Sequence, residues 1–97
     1  MHASVRIYRH LRDFDEVARR VETGLVPILQ GIPGFRGYYA IRCGETVGVS
    51  VGLFDSEEAA QSSNEQGAAW GKEHLAEFSD GQPPEMLAGK VLVAVSG

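Results

Sequence analysis

A β-strand is predicted at Pro33-Gly34-Phe35-Arg36-Gly37-Tyr38-Tyr39, directly after a helical segment whose last turns carry Pro27. Proline and glycine favour the end of a helix, and the aromatic residues that follow favour a strand. A second unit of strand and then helix continues past Asp55. The elements therefore follow the order β-α-β-β-α-β. This order predicts an α+β ferredoxin-like sandwich, in which a four-stranded antiparallel sheet carries two helices on one face.

The bulk properties of the chain restrict its functional class. Its 97 residues predict one domain, residues 1–97, with an ordinary globular content of 43% hydrophobic and 23% charged residues. A net charge of −4 argues against a nucleic-acid partner, because phosphate binding needs a basic surface. No apolar run approaches the ~18 residues that span a bilayer. The single cysteine, Cys43, cannot form an intrachain disulfide. We therefore predict a cytoplasmic protein without a membrane partner.

Side chains that alternate with a period of two predict four strands, Ala3–Arg9, Phe35–Arg42, Thr46–Phe54 and Met86–Val95. In the third strand the large residues occupy one face, which suits a core covered by helices. The small residues on its other face would allow a second surface to approach closely, which suggests a partner subunit. In the first strand Arg6, Tyr8 and His10 share a face. We interpret that face as a dimer interface or a solvated edge rather than as a cavity wall.

The first helix is predicted to open at Asp13, with Glu16 completing a capping box. Its apolar stripe consists of Phe14, Val17, Val21, Leu25 and Ile28. Pro27 predicts a kink or an early end, because proline lacks the N–H group that an α-helix needs.

The second helix is predicted to open at the capping box Asp55-Ser56-Glu57-Glu58 and to run to about Glu77. Its inner stripe is rich in small and polar residues, namely Ala59, Ser63, Gln66, Gly67, Trp70, His74 and Phe78. A helix that covers a sheet with small residues leaves space beneath it. We therefore expect any pocket to lie under this helix. A long loop follows the helix at Ser79–Glu85.

Three features of the sequence resemble the antibiotic-biosynthesis monooxygenase-like family of the dimeric α/β-barrel superfamily. They are Pro33-Gly34-Phe35-x-Gly37-Tyr38, the helix entry Phe54–Ala60, and Asn64 followed by Trp70. The resemblance covers nearly the whole chain in the order of its elements. It implies a homodimer whose two sheets pack face to face into a barrel, with a ligand cavity between sheet and helices in each subunit. Some members oxidise quinol-like aromatic substrates with dioxygen and no cofactor, and others degrade haem.

The resemblance also implies candidate catalytic residues, because an asparagine, a tryptophan and a histidine or tyrosine line the cavity in such enzymes. Here Trp70 would stack against an aromatic substrate, Asn64 would hydrogen-bond its oxygen and His74 would move a proton. At ~100° per residue Asn64 and Trp70 lie roughly 240° apart around the helix, so both border a pocket without sharing a stripe. In the alternative interpretation Trp70 fills the core, Asn64 bonds locally and His74 is half exposed.

Tyr38 and Tyr39 point to opposite faces of the second strand and are candidate substrate-binding residues. One should meet the helices and could reach a ligand, and the other should meet the partner sheet. No spacing of histidines or cysteines predicts a metal site. His74 lies closer to Trp70 than the histidine of the haem-degrading members does, which argues against haem ligation by His74. We therefore predict a protein without a cofactor, with haem as the alternative that the resemblance implies.

The sequence therefore predicts a small monooxygenase-like homodimer that oxidises a hydrophobic aromatic or quinol substrate without a tightly held cofactor. The alternative is a non-catalytic dimer that binds a small ligand or has a structural role. The sequence leaves open whether any catalysis takes place.

Overall fold

The computed structural model describes all residues, 1–97. Its strands are β1 (His2–Tyr8), β2 (Phe35–Arg42), β3 (Gly48–Phe54) and β4 (Glu85–Lys90), and its main helices are α1 (Phe14–Arg20), α2 (Val26–Gln30) and α3 (Glu57–His74). The strands form one sheet in the order β2-β3-β1-β4, and every neighbouring pair is antiparallel. The predicted ferredoxin-like α+β fold is confirmed. None of the helices combines the length and apolarity that crossing a bilayer requires.

The first helical run continues past the proline, where we expected a kink or an early end. A π-helical turn at Val21–Leu25 joins α1 to α2, and Pro27 lies in the first turn of α2, where a missing N–H group is tolerated. The wider π turn shifts the buried stripe by one residue. Leu29 is therefore fully buried, whereas Ile28, which we had placed in the stripe, is 38% exposed.

The start of this run also differs from the prediction. Asp13 precedes α1 in the left-handed conformation, with φ 55°, and its side chain makes no capping hydrogen bond. The predicted capping box at Asp13 is therefore wrong. At α3 the N-cap is Ser56 rather than the predicted Asp55, because the Ser56 hydroxyl accepts a hydrogen bond from the Ala59 N–H at 3.1 Å. The Asp55 carboxylate instead accepts from Arg36 Nη1 at 2.8 Å.

The assignment of the sheet faces from the third strand was inverted. The small residues Gly48 and Gly52 are buried toward the helices, and the valines of β3 lie on the outer face, partly exposed. A Cβ atom at Gly48 would lie 2.6 Å from Leu11 Cδ1, so the segment that precedes α1 comes too close for a larger side chain there. On β1, Arg6 and Tyr8 face the helices, which corrects their interpretation as interface or solvated edge. His10 lies beyond the end of β1 and is exposed.

The helix α3 ends at His74 and is followed by a 3₁₀ turn at Ala76–Phe78. Gln66 and His74, which we had placed on its inner stripe, are exposed. The side of α3 that faces the sheet instead consists of Ala59, Ala60, Ser63, Asn64, Gly67, Trp70 and Gly71.

The last strand is shorter than predicted. The pairing of β4 with β1 ends at Lys90, opposite His2, rather than at Val95. The Val91 N–H still donates to the Met1 carbonyl oxygen at 2.9 Å, and the residues beyond it are exposed.

Candidate functional site

A cavity of about 280 Å³ lies between the first helical run and the sheet. Apolar side chains of α1 and the π turn, among them Phe14, Val17 and Val21, form its roof. Tyr8 and Tyr38 line it from the sheet. The helix α3 closes one side with Gly67 and Trp70. The cavity therefore lies mainly under the first helical run, with α3 as a side wall, whereas we expected it under the second helix.

A buried arginine lies at the sheet side of this cavity. Arg6 is 2% exposed and lines the cavity, although it is charged. Its Nη1 atom donates to the Ser63 carbonyl oxygen and to Asn64 Oδ1, both at 3.1 Å, and its Nη2 atom donates to Ser50 Oγ at 3.1 Å. All three acceptors are neutral. A Cβ atom at Gly67 would lie 2.5 Å from Arg6 Cζ, so the space for the guanidinium depends on that glycine.

Two tyrosines of the sheet stand next to this arginine. The Ser50 hydroxyl accepts from Arg6 and donates to the Tyr38 hydroxyl at 2.5 Å, so a polar chain leads from the guanidinium to the cavity. Burial raises the pKa of Tyr8, and the nearby positive charge of Arg6 offsets only part of this effect. The Tyr8 phenol is therefore neutral at physiological pH.

Asn64 is buried, but it does not line the cavity. Its Oδ1 accepts from Arg6, and its Nδ2 donates to the Leu87 carbonyl oxygen at 2.9 Å. Both ends of the amide are thus held within the protein. The position of Asn64 allows it to orient Arg6 rather than to contact a ligand, and its predicted catalytic role stays a prediction.

Trp70 lines the cavity, as predicted for a residue that stacks against a ligand. Its indole ring lies against Gly24 in the π turn, where a Cβ atom would come within 2.9 Å of the ring. The His74 ring lies 5.0 Å from the Trp70 ring between centroids, at an angle of 33°. The His74 side chain is 45% exposed and does not line the cavity. The structure therefore pairs these two residues but brings only Trp70 to the cavity.

The two tyrosines of β2 lie on opposite faces of the sheet, as the alternation of side chains along a strand requires. Tyr38 faces the cavity, and Tyr39 is 62% exposed on the outer face of the sheet. The sequence had left open which of the two would meet the helices, and the structure identifies Tyr38.

Arg6 is the residue of the cavity that the sequence analysis missed. A lone arginine in a strand is usually solvated, and its neighbours on the chain gave no sign that its face was covered. One signal was available. Ser63, Gly67 and Gly71 recur every fourth residue on α3, and such a small-residue stripe leaves room for long side chains from the sheet.

The lining of the cavity does not fit haem ligation through His74. No histidine, cysteine or methionine is among its residues, and of the side chains that hold haem iron only the tyrosines Tyr8 and Tyr38 line it. No group of three or more histidine, cysteine, aspartate or glutamate side chains could hold a metal ion.

Neither a protein-family model nor a curated protein matches the chain. Solved structures do match. The monooxygenase ActVA-Orf6 of Streptomyces coelicolor, in complex with Nanaomycin D, superposes with a TM-score of 0.74 at 16% identity, covering 99% of this chain and 91% of that chain. A putative antibiotic biosynthesis monooxygenase from Nitrosomonas europaea gives a TM-score of 0.69 at 13% identity, covering 96% and 100%. The chain has the fold of these monooxygenases.

A further similar structure is a point mutant of MhuD with two manganese protoporphyrin IX molecules per active site. Its TM-score is 0.70 at 20% identity, and the match covers 100% of both chains. The resemblance seen in the sequence is thus confirmed as a likeness of fold. This fold is shared by proteins with different ligands, so a function must be argued from the cavity itself.

Proposed function

We propose that the protein is a small monooxygenase-like enzyme that oxidises a hydrophobic aromatic substrate carrying a hydroxyl group. The observation that carries the proposal is the cavity, with its apolar roof, the Trp70 ring at its side and the Arg6–Ser50–Tyr38 chain at the sheet. Apolar walls with a few converging polar groups are typical of small-molecule sites. The likeness of fold to a monooxygenase in complex with Nanaomycin D supports the same class of ligand.

The proposed reaction converts a ring methylene group next to the aromatic system into a carbonyl group. Two C–H bonds and the O–O bond of dioxygen break, and a C=O bond and the two O–H bonds of water form. The carbon loses four electrons, and dioxygen gains four. Because the substrate itself supplies the electrons, the protein need only orient it, exclude water and stabilise the developing oxyanion.

The side chains divide these tasks. Trp70 stacks against the aromatic rings, and Tyr38 offers its hydroxyl to the substrate oxygen. Asn64 is a positioning residue, which acts by holding Arg6. His74 packs on the outer side of Trp70 and fixes the angle of the indole, and it moves no proton in the proposed reaction.

The outer face of the sheet supports a homodimer. Residues at its centre are apolar and only half-buried within one chain, and they include Val5, Ile7, Val49 and Val51. Tyr39, Ile41 and Leu87 extend this outer apolar face and are exposed. A sheet face of this composition is typical of a surface that packs against a second sheet about 10 Å away. We therefore propose that two copies associate through it.

Oxygen consumption with isotope labelling tests the proposed reaction. The purified protein is supplied with ¹⁸O-labelled dioxygen and a panel of anthrone-like phenols and hydroquinones. We expect dioxygen uptake with at least one anthrone-like compound, and one labelled oxygen atom in its ketone product. In a variant that combines Trp70→Phe with Asn64→Ala, we expect uptake to fall by about 10²-fold, the scale of rate that is lost when a bound substrate is displaced by about 1 Å.

The matched control combines Gln61→Ala with Gln66→Ala, since both glutamines are exposed on α3 and do not line the cavity. This control should keep the wild-type rate. Absence of uptake with the whole panel, or a ketone without label, would contradict the proposed reaction and leave a non-catalytic ligand-binding dimer in its place.

A further inference from the structure

We propose that the cavity binds its aromatic ligand as an anion, with the oxyanion paired to the guanidinium of Arg6. This inference rests on the proposed function for the aromatic nature of the ligand. It adds the charge of that ligand and the residue that recognises it. The shared chemistry is an aromatic oxyanion, which an ionised hydroxyl group or a carboxylate can provide.

The first argument is the missing counter-ion. A buried charge is costly unless it is paired, and buried arginines normally pair with carboxylates. Arg6 is 2% exposed, yet it takes part in none of the ion pairs of the protein. Its acceptors are a carbonyl, an amide and a hydroxyl oxygen. An anionic ligand would supply the negative charge that Arg6 lacks.

The second argument is the set of donors that remain. The guanidinium of an arginine has five N–H donors. Three of them reach protein acceptors, two from Nη1 and one from Nη2. The Nε–H and the second hydrogen on Nη2 therefore remain for a ligand. Because Arg6 lines the cavity, an oxyanion can reach it there.

The third argument is the fixed position of these donors. Asn64 and Ser63 accept hydrogen bonds from one edge of the guanidinium, and Ser50 accepts one from the other edge. The backbone of Gly67 lies against Cζ so closely that even a Cβ atom would not fit between them. Donors that are already oriented stabilise an oxyanion without the cost of rearrangement. Because Tyr38 accepts the Ser50 hydrogen, its own hydroxyl hydrogen is available to the same ligand oxygen.

The charged side chains around the cavity also favour an anionic ligand. Besides Arg6, the ionisable residues that line it are Asp15 from α1, Arg42 from β2, and the phenols of Tyr8 and Tyr38 from the sheet. The Tyr8 phenol is neutral at physiological pH, because burial raises its pKa. The guanidinium groups of Arg6 and Arg42 and the single carboxylate of Asp15 give the cavity a net positive charge. The Arg42 guanidinium lies 4.3 Å from the centroid of the Phe14 ring. The net positive charge favours the ionised form of an aromatic ligand, whereas the apolar walls oppose it, so the preference for the anion depends on direct pairing with Arg6.

The consequence for the proposed reaction is direct. An ionised phenol gives up an electron to dioxygen more readily than the neutral phenol does. A cavity that binds the ionised form would therefore raise the fraction of substrate in its reactive state.

The test is equilibrium binding without dioxygen, so that no turnover is required. The probe is 4-nitro-1-naphthol, whose visible absorbance reports its ionised form, titrated with pH in the presence and absence of protein. We expect the pKa of the bound probe to fall by about one unit or more, which corresponds to at least tenfold tighter binding of the anion. In Arg6→Met this fall should disappear, and in Arg6→Lys most of it should remain. Equal affinity of the wild-type protein for both forms would overturn the inference.

A second arm identifies the source of the oxyanion and checks that the variants are folded. Calorimetry compares 1-naphthoate with the nitronaphthol anion, and the tighter of the two identifies carboxylate or hydroxyl recognition. Neutral naphthalene should bind wild type and Arg6→Met equally, which shows an intact cavity. Preferential anion binding without oxygen uptake would support this inference and contradict the proposed reaction. Oxygen uptake without preferential binding of the anion would contradict this inference and support the proposed reaction.

Discussion

Replacing Val51 by glutamate is expected to convert the proposed dimer into a monomer. Val51 lies on the outer apolar face at the middle of the sheet, with Val5 opposite it on β1 and Tyr39 opposite it on β2. In a dimer that packs two such faces together, the new carboxylate would be buried without a partner in both copies. Leaving a charge buried and unpaired costs several kcal/mol, so we expect association to weaken by at least about 10³-fold.

Light scattering on a size-exclusion column measures this change as a halving of the mass in solution. The matched control is Gln61→Glu, which adds the same charge at an exposed position on α3. The control should remain dimeric. If Val51→Glu kept the dimer mass over a range of concentrations, the outer sheet face would not be the interface.

Replacing Gly71 by alanine is expected to lower stability in the wild-type protein and to raise it in a Tyr8→Phe background. A Cβ atom at position 71 would overlap the Tyr8 hydroxyl oxygen, but it would remain 3.4 Å from the ring carbon that carries this oxygen. Overpacking of this kind costs about 1–3 kcal/mol. Without the hydroxyl, the alanine should contribute only its higher helix propensity, about 1 kcal/mol relative to glycine.

Urea unfolding of the four proteins at one fixed concentration measures this double-mutant cycle. A fixed concentration is necessary because the stability of a dimer depends on it. An equal effect of Gly71→Ala in both backgrounds would show that the helix and β1 are not in the close contact described here.

The order of strands and helices could be predicted because it depends on local signals. The Pro33–Gly34 break and the Ser56 cap are encoded by residues next to each other in the chain. The choice between the two faces of the sheet could not be predicted in the same way. Alternation separates Val51 from Gly52, but which face is covered depends on how closely the small residues of α3 approach the sheet.

Two further differences have the same origin in tertiary structure. The π turn before Pro27 changes the spacing of the buried residues along the helix. No residue pattern in the sequence predicts a helical turn with one extra residue. The length of β4 depends on its partner, because its ladder with β1 ends where Lys90 lies opposite His2.

The candidate site was predicted in part. Trp70 and Tyr38 lie at the cavity as the resemblance and the strand alternation implied. Asn64 and His74 were expected beside them, but His74 lies on the exposed side of α3 and Asn64 is directed to Arg6. Arg6 itself was missed because the strand pattern placed its face in a subunit interface or at a solvated edge.

The central claim is that the chemistry takes place in the cavity under the first helical run. Ala40 lines that cavity from β2, and a tryptophan at this position would fill part of the space. Dioxygen uptake with the best substrate should therefore fall to background in Ala40→Trp. It should persist in Gln66→Trp, which places the same ring on the exposed side of α3. Uptake by Ala40→Trp at the wild-type rate would contradict the claim.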